Sequence, residues 1–115
     1  MPKATLASKA LPVAVANQLQ KLGRDISIAR RRRRMSLRQM AERMMVNIKT
    51  VQRLEQGDPA VGVGIVATAL WILGMHRRLG DLIAPETDRV GLQEDIRRLP
   101  RDFRRSVTQN EITDF

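Results

Sequence analysis

The chain has 115 residues and a net charge of +9, with no cysteine, no tyrosine, one histidine, two phenylalanines and one tryptophan. That length suits one domain with a single buried core. The composition leaves no basis for a disulfide framework, a thiolate metal site or, with His76 alone, a histidine-based metal site or triad, and so few rings poorly supply an aromatic cage or a stacking platform for single strands.

Residues 1–11 read as a flexible N-terminal tail. Pro12 can sit in the first turn of a helix. Val15, Leu19, Leu22, Ile26 and Ala29 then recur at spacings of four, three, four and three, a stripe that predicts a helix to about Arg33. Its last turn holds the run Arg30–Arg34, and cations there favour the helix dipole. Ser36 and Gln39 form an S-x-x-Q capping box that starts a second helix, about Ser36–Met44. Asn47 is a further N-cap candidate, and Gly57 stands where a helix C-terminus favours a left-handed residue. These marks bracket a third helix, about Asn47–Gln56. Leu37, Met40, Ala41 and Met44, then Val46, Val51 and Leu54, turn inward at helical spacing. Lys49, Gln52 and Arg53 are left facing out.

Asp58-Pro59 signals a turn, and Gly62 caps a fourth helix, about Val63–Leu73. Val66, Leu70 and Leu73 share one of its faces; Ile65, Ala69 and Ile72 share another. Two apolar faces imply burial on two sides: one in the core, and one, with Trp71 near it, as a dimer surface of Ile65, Ala69, Trp71 and Ile72. A fifth helix, about Arg77–Ile83, brings Leu79, Leu82 and Ile83, and Ala84-Pro85 ends it. Leu92, Ile96, Leu99 and Phe103 would form a stripe if helical, but Pro100 interrupts them. Residues 84–115 therefore read as a mobile tail or as a segment that orders on a partner. The longest uncharged run, Pro59–Met75, has 17 residues and is crowded at its start by Pro59, Gly62 and Gly64, short of the roughly 20 that a membrane span needs. Leu11–Ala16 is too short and too mild for a secretory signal, so a cytoplasmic location without membrane contact is expected.

The positive charge is concentrated. Residues 20–57 carry eleven Lys/Arg against Asp25, Glu42 and Glu55, a surplus of eight, whereas residues 58–115 carry a deficit of one. The field thus coincides with the two-helix motif, the footprint expected of a nucleic-acid binder. The chain offers no Ser/His/Asp set, no phosphate-cradling glycine loop and no paired carboxylates in an apolar setting, so no enzyme, no cofactor and no metal are expected.

The stretch Gly23–Gly57 resembles the Xre/Cro-type helix-turn-helix domain of phage repressors and bacterial regulators. The matching positions are Gly23 and Arg30; Met35, Ser36, Met40, Ala41 and Glu42; and Val46, Thr50, Val51, Leu54, Glu55 and Gly57. The resemblance implies an all-α, five-helix, lambda-repressor-like domain over residues 12–83, with tails on either side. It also implies that Arg30 pairs with Glu55, tying the first helix to the end of the third. Three positions depart from the pattern. Met45 stands at the turn position usually held by glycine, and must accept a left-handed backbone or adjust the turn. Leu37 replaces a phosphate-binding glutamine, and Asp58 stands where relatives often place a cation. More narrowly, Leu70–Gly74, Leu79, Asp81-Leu82, Pro85, Gly91-Leu92 and Arg98–Arg101 are similar to HipB-like antitoxins. That likeness implies a homodimer, an operator near its own gene and a complex with a HipA-type kinase toxin.

Groove recognition needs side chains reaching base edges from the N-terminal half of a helix. Here those are Asn47, Ile48, Lys49, Gln52 and Arg53: Arg53 bidentate to guanine, Lys49 monodentate, Gln52 toward adenine, Ile48 against a thymine methyl. Arg34, Ser36, Arg38 and Thr50 would hold phosphates. The expected function is a sequence-specific double-stranded DNA-binding transcriptional repressor, autoregulatory, on a palindromic operator, and the antitoxin of a kinase. The alternatives are a stand-alone regulator, a nucleoid-type binder without sequence preference, or an interaction module that keeps the fold without reading DNA.

Overall fold

A computed structural model describes residues 11–103, and these are helical with no strand. The helices are α1 (Val13–Arg32), α2 (Leu37–Met44), α3 (Ile48–Glu55), α4 (Val63–Ile72), α5 (Arg77–Gly80) and α6 (Arg89–Arg98), with a 3₁₀ turn at Pro85–Thr87. The chain divides into two compact units, one ending at Leu79 and one beginning at Gly80. The expected tail over residues 1–11 lies outside the described residues except for Leu11, as does everything after Phe103.

In the first unit, local signals start and stop each helix. Pro12, extended at φ −57° and ψ 143°, precedes α1 and accepts from the N–H groups of Val15 and Ala16 at 3.0 Å. The Ser36 capping box is complete: Gln39 N–H donates to Ser36 Oγ at 3.0 Å, and Ser36 N–H to Gln39 Oε1 at 2.9 Å. Asn47 Oδ1 accepts from Lys49 N–H at 3.2 Å at the start of α3. At the C-termini, α1 to α4 all end on a left-handed residue: Arg34, Met45, Gly57 and Gly74. In each case the next N–H reaches back five residues, Met35 to Arg30 O, Val46 to Ala41 O, Asp58 to Arg53 O and Met75 to Leu70 O. This is the Schellman arrangement, which satisfies carbonyls that the helix leaves open.

The core lies where α3 packs across α1 and α2, and α2 packs on α4. It consists of Ile26, Ala29, Met35, Met40, Ala41, Met44, Val51, Leu54, Ala69 and Leu73. Met40 and Val51 are fully buried, and each contributes roughly 1.5–3 kcal/mol by leaving water. The stripe on α1 engages this core from Leu22 onward, while Leu19 is half-buried and Val15 exposed. Gly23 lies so close to the end of α3 that a Cβ there would sit 2.5 Å from Glu55 O and 2.8 Å from Gly57 N.

Two expectations are corrected here. The Ile65–Ala69–Ile72 face of α4 is not left open as a separate surface: Ala69 is fully buried, and half-buried Ile65 and Ile72 pack against the core, as Val66 and Leu73 of the other face also do. The reason is that Ala69 and Leu73, one turn apart, share the inner side. The outer side carries Trp71, 61% exposed, and Val63, 72% exposed. Second, α5 stops at Gly80 rather than at Ile83, and Leu82 and Ile83 are exposed.

In the second unit, the expected mobile tail is helical over part of its length. Asp88 caps α6, accepting from Gly91 N–H at 2.9 Å. Leu92, Ile96 and Leu99 are half-buried, whereas Val90 and Phe103 are exposed. Leu99 ends α6 in an extended conformation, at φ −75° and ψ 152°, because the ring of Pro100 bars the residue before it from helical geometry. No helix among the described residues is long and apolar enough to cross a membrane.

Candidate nucleic-acid interface

α2 and α3 are joined by Met45, Val46 and Asn47, and this short connection sets the exposed surface of α3. Met45 adopts the left-handed conformation, at φ 58° and ψ 42°, with its side chain 91% exposed. Its N–H bonds to Glu42 O at 3.1 Å, and Val46 N–H bonds to Ala41 O at 3.0 Å. The turn therefore keeps the geometry a glycine would give, and a Cβ in that region costs about 1–2 kcal/mol.

Behind α3, Val51 and Leu54 are buried. On its other side Lys49, Gln52 and Arg53 share a face at spacings of three and four. Lys49 and Gln52 are exposed, as is Asn47, whose side chain is engaged in capping. Ile48 is half-buried and packs on the core, so only part of it remains for an apolar contact. Arg53 is not free. Its Nε donates to Asp58 Oδ2 at 3.0 Å, and its side chain is 21% exposed. The other oxygen of Asp58 accepts from Ala60 N–H at 2.9 Å. The Ala60 N–H and then the Arg53 guanidinium hold the Asp58 carboxyl below its ordinary value, against an opposing effect of burial.

Of the phosphate candidates, Arg34, Ser36 and Arg38 are exposed, and Thr50 is half-buried. Ser36 Oγ accepts from the α2 backbone, which leaves its hydroxyl proton able to donate outward. The arginine run divides by role. Arg31, Arg32 and Arg34 are exposed. Arg33 donates to Ala29 O at 2.7 Å and to Leu73 O at 3.1 Å, so it joins the end of α1 to the end of α4. Arg30 is buried. Its Nε and one Nη donate to the two Glu55 oxygens at 2.7 and 3.1 Å, and the remaining Nη donates to Met35 O at 2.8 Å. Sequence reasoning missed the bridging by Arg33, because a run of like residues carries no sign of which one points inward. It also missed the grip of Asp58 on Arg53, although the Asp-Pro turn directly after Gly57 marked the place.

The arrangement offers an exposed cationic and amide surface on α3, flanked by a hydroxyl and two guanidinium groups at the start of α2. Among the described residues no three His, Cys, Asp or Glu side chains are placed to hold a metal ion. Family models, curated proteins and solved structures were each compared with the chain, and none matches it.

Proposed function

We propose that the chain is a sequence-specific double-stranded DNA-binding repressor whose first unit has the five-helix Xre/Cro-like fold and inserts α3 into the major groove. One observation carries the reading: Lys49, Gln52 and Arg53 share the outer face of a helix pinned to the core by Val51 and Leu54. The surplus of positive charge over residues 20–57 supports it. One such domain reads few bases, so a homodimer on a palindromic operator is part of the proposal, with Trp71 and Val63 on the outer side of α4 as its contact. Autoregulation, and an antitoxin role toward a HipA-type kinase, rest on the resemblance of Leu70–Arg101. The exposed Leu82, Ile83 and Val90 supply apolar surface that such a partner would cover.

The test is fluorescence anisotropy of the full chain with the duplex upstream of its own gene and with a scrambled duplex, at two salt concentrations. Specific binding tighter by about 10³-fold or more is expected. Equal and steeply salt-dependent binding to both duplexes would replace this reading with a general DNA coater. A folded protein that binds neither would favour an interaction module, for which the engagement of Arg53 by Asp58 is the supporting observation. Light scattering tests the dimer: a monomer at working concentration, unchanged by Trp71→Ala, overturns that contact.

A further inference from the structure

We propose that Asp58 is a positioning residue for base reading, holding the Arg53 guanidinium by its Nε so that the two Nη groups form a preset fork for guanine. The inference rests on the DNA-reading proposal above. Its geometry comes from how α3 ends. Gly57, left-handed at φ 74°, turns the chain back, and Asp58 N–H returns to Arg53 O at 3.1 Å. The Asp58 side chain is thereby brought beside the residue five positions earlier.

The carboxylate is itself fixed. Oδ1 accepts from Ala60 N–H at 2.9 Å, so only Oδ2 faces Arg53, at 3.0 Å. Between the two partners, the arginine is the one that gives up freedom. A free arginine side chain loses up to about 2 kcal/mol of rotamer entropy when it docks, and the pair takes part of that loss before DNA arrives. Nε is the one guanidinium nitrogen engaged; both Nη groups are without a protein hydrogen bond among the described residues. A guanine O6/N7 edge takes two parallel donors, which the Nη pair supplies. Lys49, by contrast, has no ion pair among the described residues and offers a single charged tip.

Charge alone would give Asp58 the opposite role. A carboxylate near DNA repels phosphate and weakens binding to every sequence alike. Positioning instead sharpens the preference for one base, so the two effects are separable. Asp58→Asn separates them, because its amide oxygen can still accept from Ala60 N–H while its NH₂ cannot accept from Arg53 Nε.

The experiment uses the full chain and a pool of randomised duplexes, selected and sequenced with the natural protein, Arg53→Ala and Asp58→Asn. Anisotropy on one scrambled duplex and thermal melts accompany it. The natural protein is expected to enrich a motif with a guanine whose preference falls about tenfold in Arg53→Ala. The same guanine, and no other position, is expected to lose preference in Asp58→Asn, while affinity for the scrambled duplex rises. If Asp58→Asn keeps the full guanine preference and only tightens binding throughout, Asp58 is a brake and the proposal is overturned. If the natural protein enriches no motif, the DNA-reading proposal fails first. Should Asp58→Asn not fold, Asp58→Ser, whose hydroxyl oxygen can still accept from Ala60 N–H, is read by the same criterion.

Discussion

Met45 and Arg34 hold left-handed backbones at φ 58° and 55° without being glycine. Met45 is the cleaner case, since its side chain is almost wholly exposed and packs on nothing in the core. Replacing it by glycine removes a conformational cost of about 1–2 kcal/mol and adds some unfolded-chain entropy. Met45→Gly is therefore expected to stabilise the protein by about 1 kcal/mol, read as a higher urea midpoint; a lower midpoint would show that the methionine contributes something the left-handed turn does not explain. Arg30 and Glu55 present the reverse situation. Each side chain is 10% exposed, and the pair is bidentate. Glu55→Ala would leave a buried guanidinium with only the Met35 carbonyl, a loss of about 3–5 kcal/mol. The exposed Lys21–Asp25 pair is the control, for which Asp25→Ala should cost about 0–1 kcal/mol. Similar losses for the two variants would contradict this account.

At the scale of elements, the crossing of α1 and α3 depends on two glycines: Gly23 set against the end of α3, and Gly57, just past that end, set against Leu19 and Gln20 of α1. A Cβ at Gly23 meets Glu55 O at 2.5 Å, and one at Gly57 meets Leu19 O at 2.6 Å. Neither neighbour is a flexible side chain that could move aside. Gly23→Ala gains up to about 1 kcal/mol of helix propensity but must push two backbones apart, which costs about 1–3 kcal/mol. Net destabilisation is expected in a thermal melt, and a melting temperature equal to or above that of the natural protein would refute it. The same elements show what could be read from residues alone. Ser36, Asn47 and Gly57 mark their boundaries by chemistry within a few positions, so α1 to α4 fall within about a residue of their expected ends. The inward face of α4 could not be read, because a helix apolar on all sides carries no phase. Nor could the early stop of α5, since Leu82 and Ile83 look like core residues until their exposure is known. Lys49 and Gln52 sit on the outer side of α3 as periodicity required, yet the engagement of Arg53 depends on a loop that folds back after the helix has ended.

At the scale of the whole molecule, charge is distributed by purpose rather than by count. Arg30 is buried and Arg33, though exposed, is tied to two backbone carbonyls, and the cationic surface beside the two helices includes Arg31, Arg32, Arg34, Arg38 and Lys49. Two variants separate its parts under the proposed function. Arg38→Ala should weaken binding to all duplexes and lower the slope of log affinity against log salt by about 1, whereas Arg53→Ala should cost about 1–3 kcal/mol on the preferred sequence alone. Equal losses on both duplexes for Arg53→Ala would collapse the distinction between the two residues. The way α3 is fastened bears on the same encounter. Its last turn is tied to α1 by the Arg30–Glu55 pair and by the close approach of Gly23, and its first turn is capped by Asn47. A helix built in advance at both ends has nothing left to fold on docking, so the heat capacity of association would report only the surface covered, without the extra signature of folding coupled to binding.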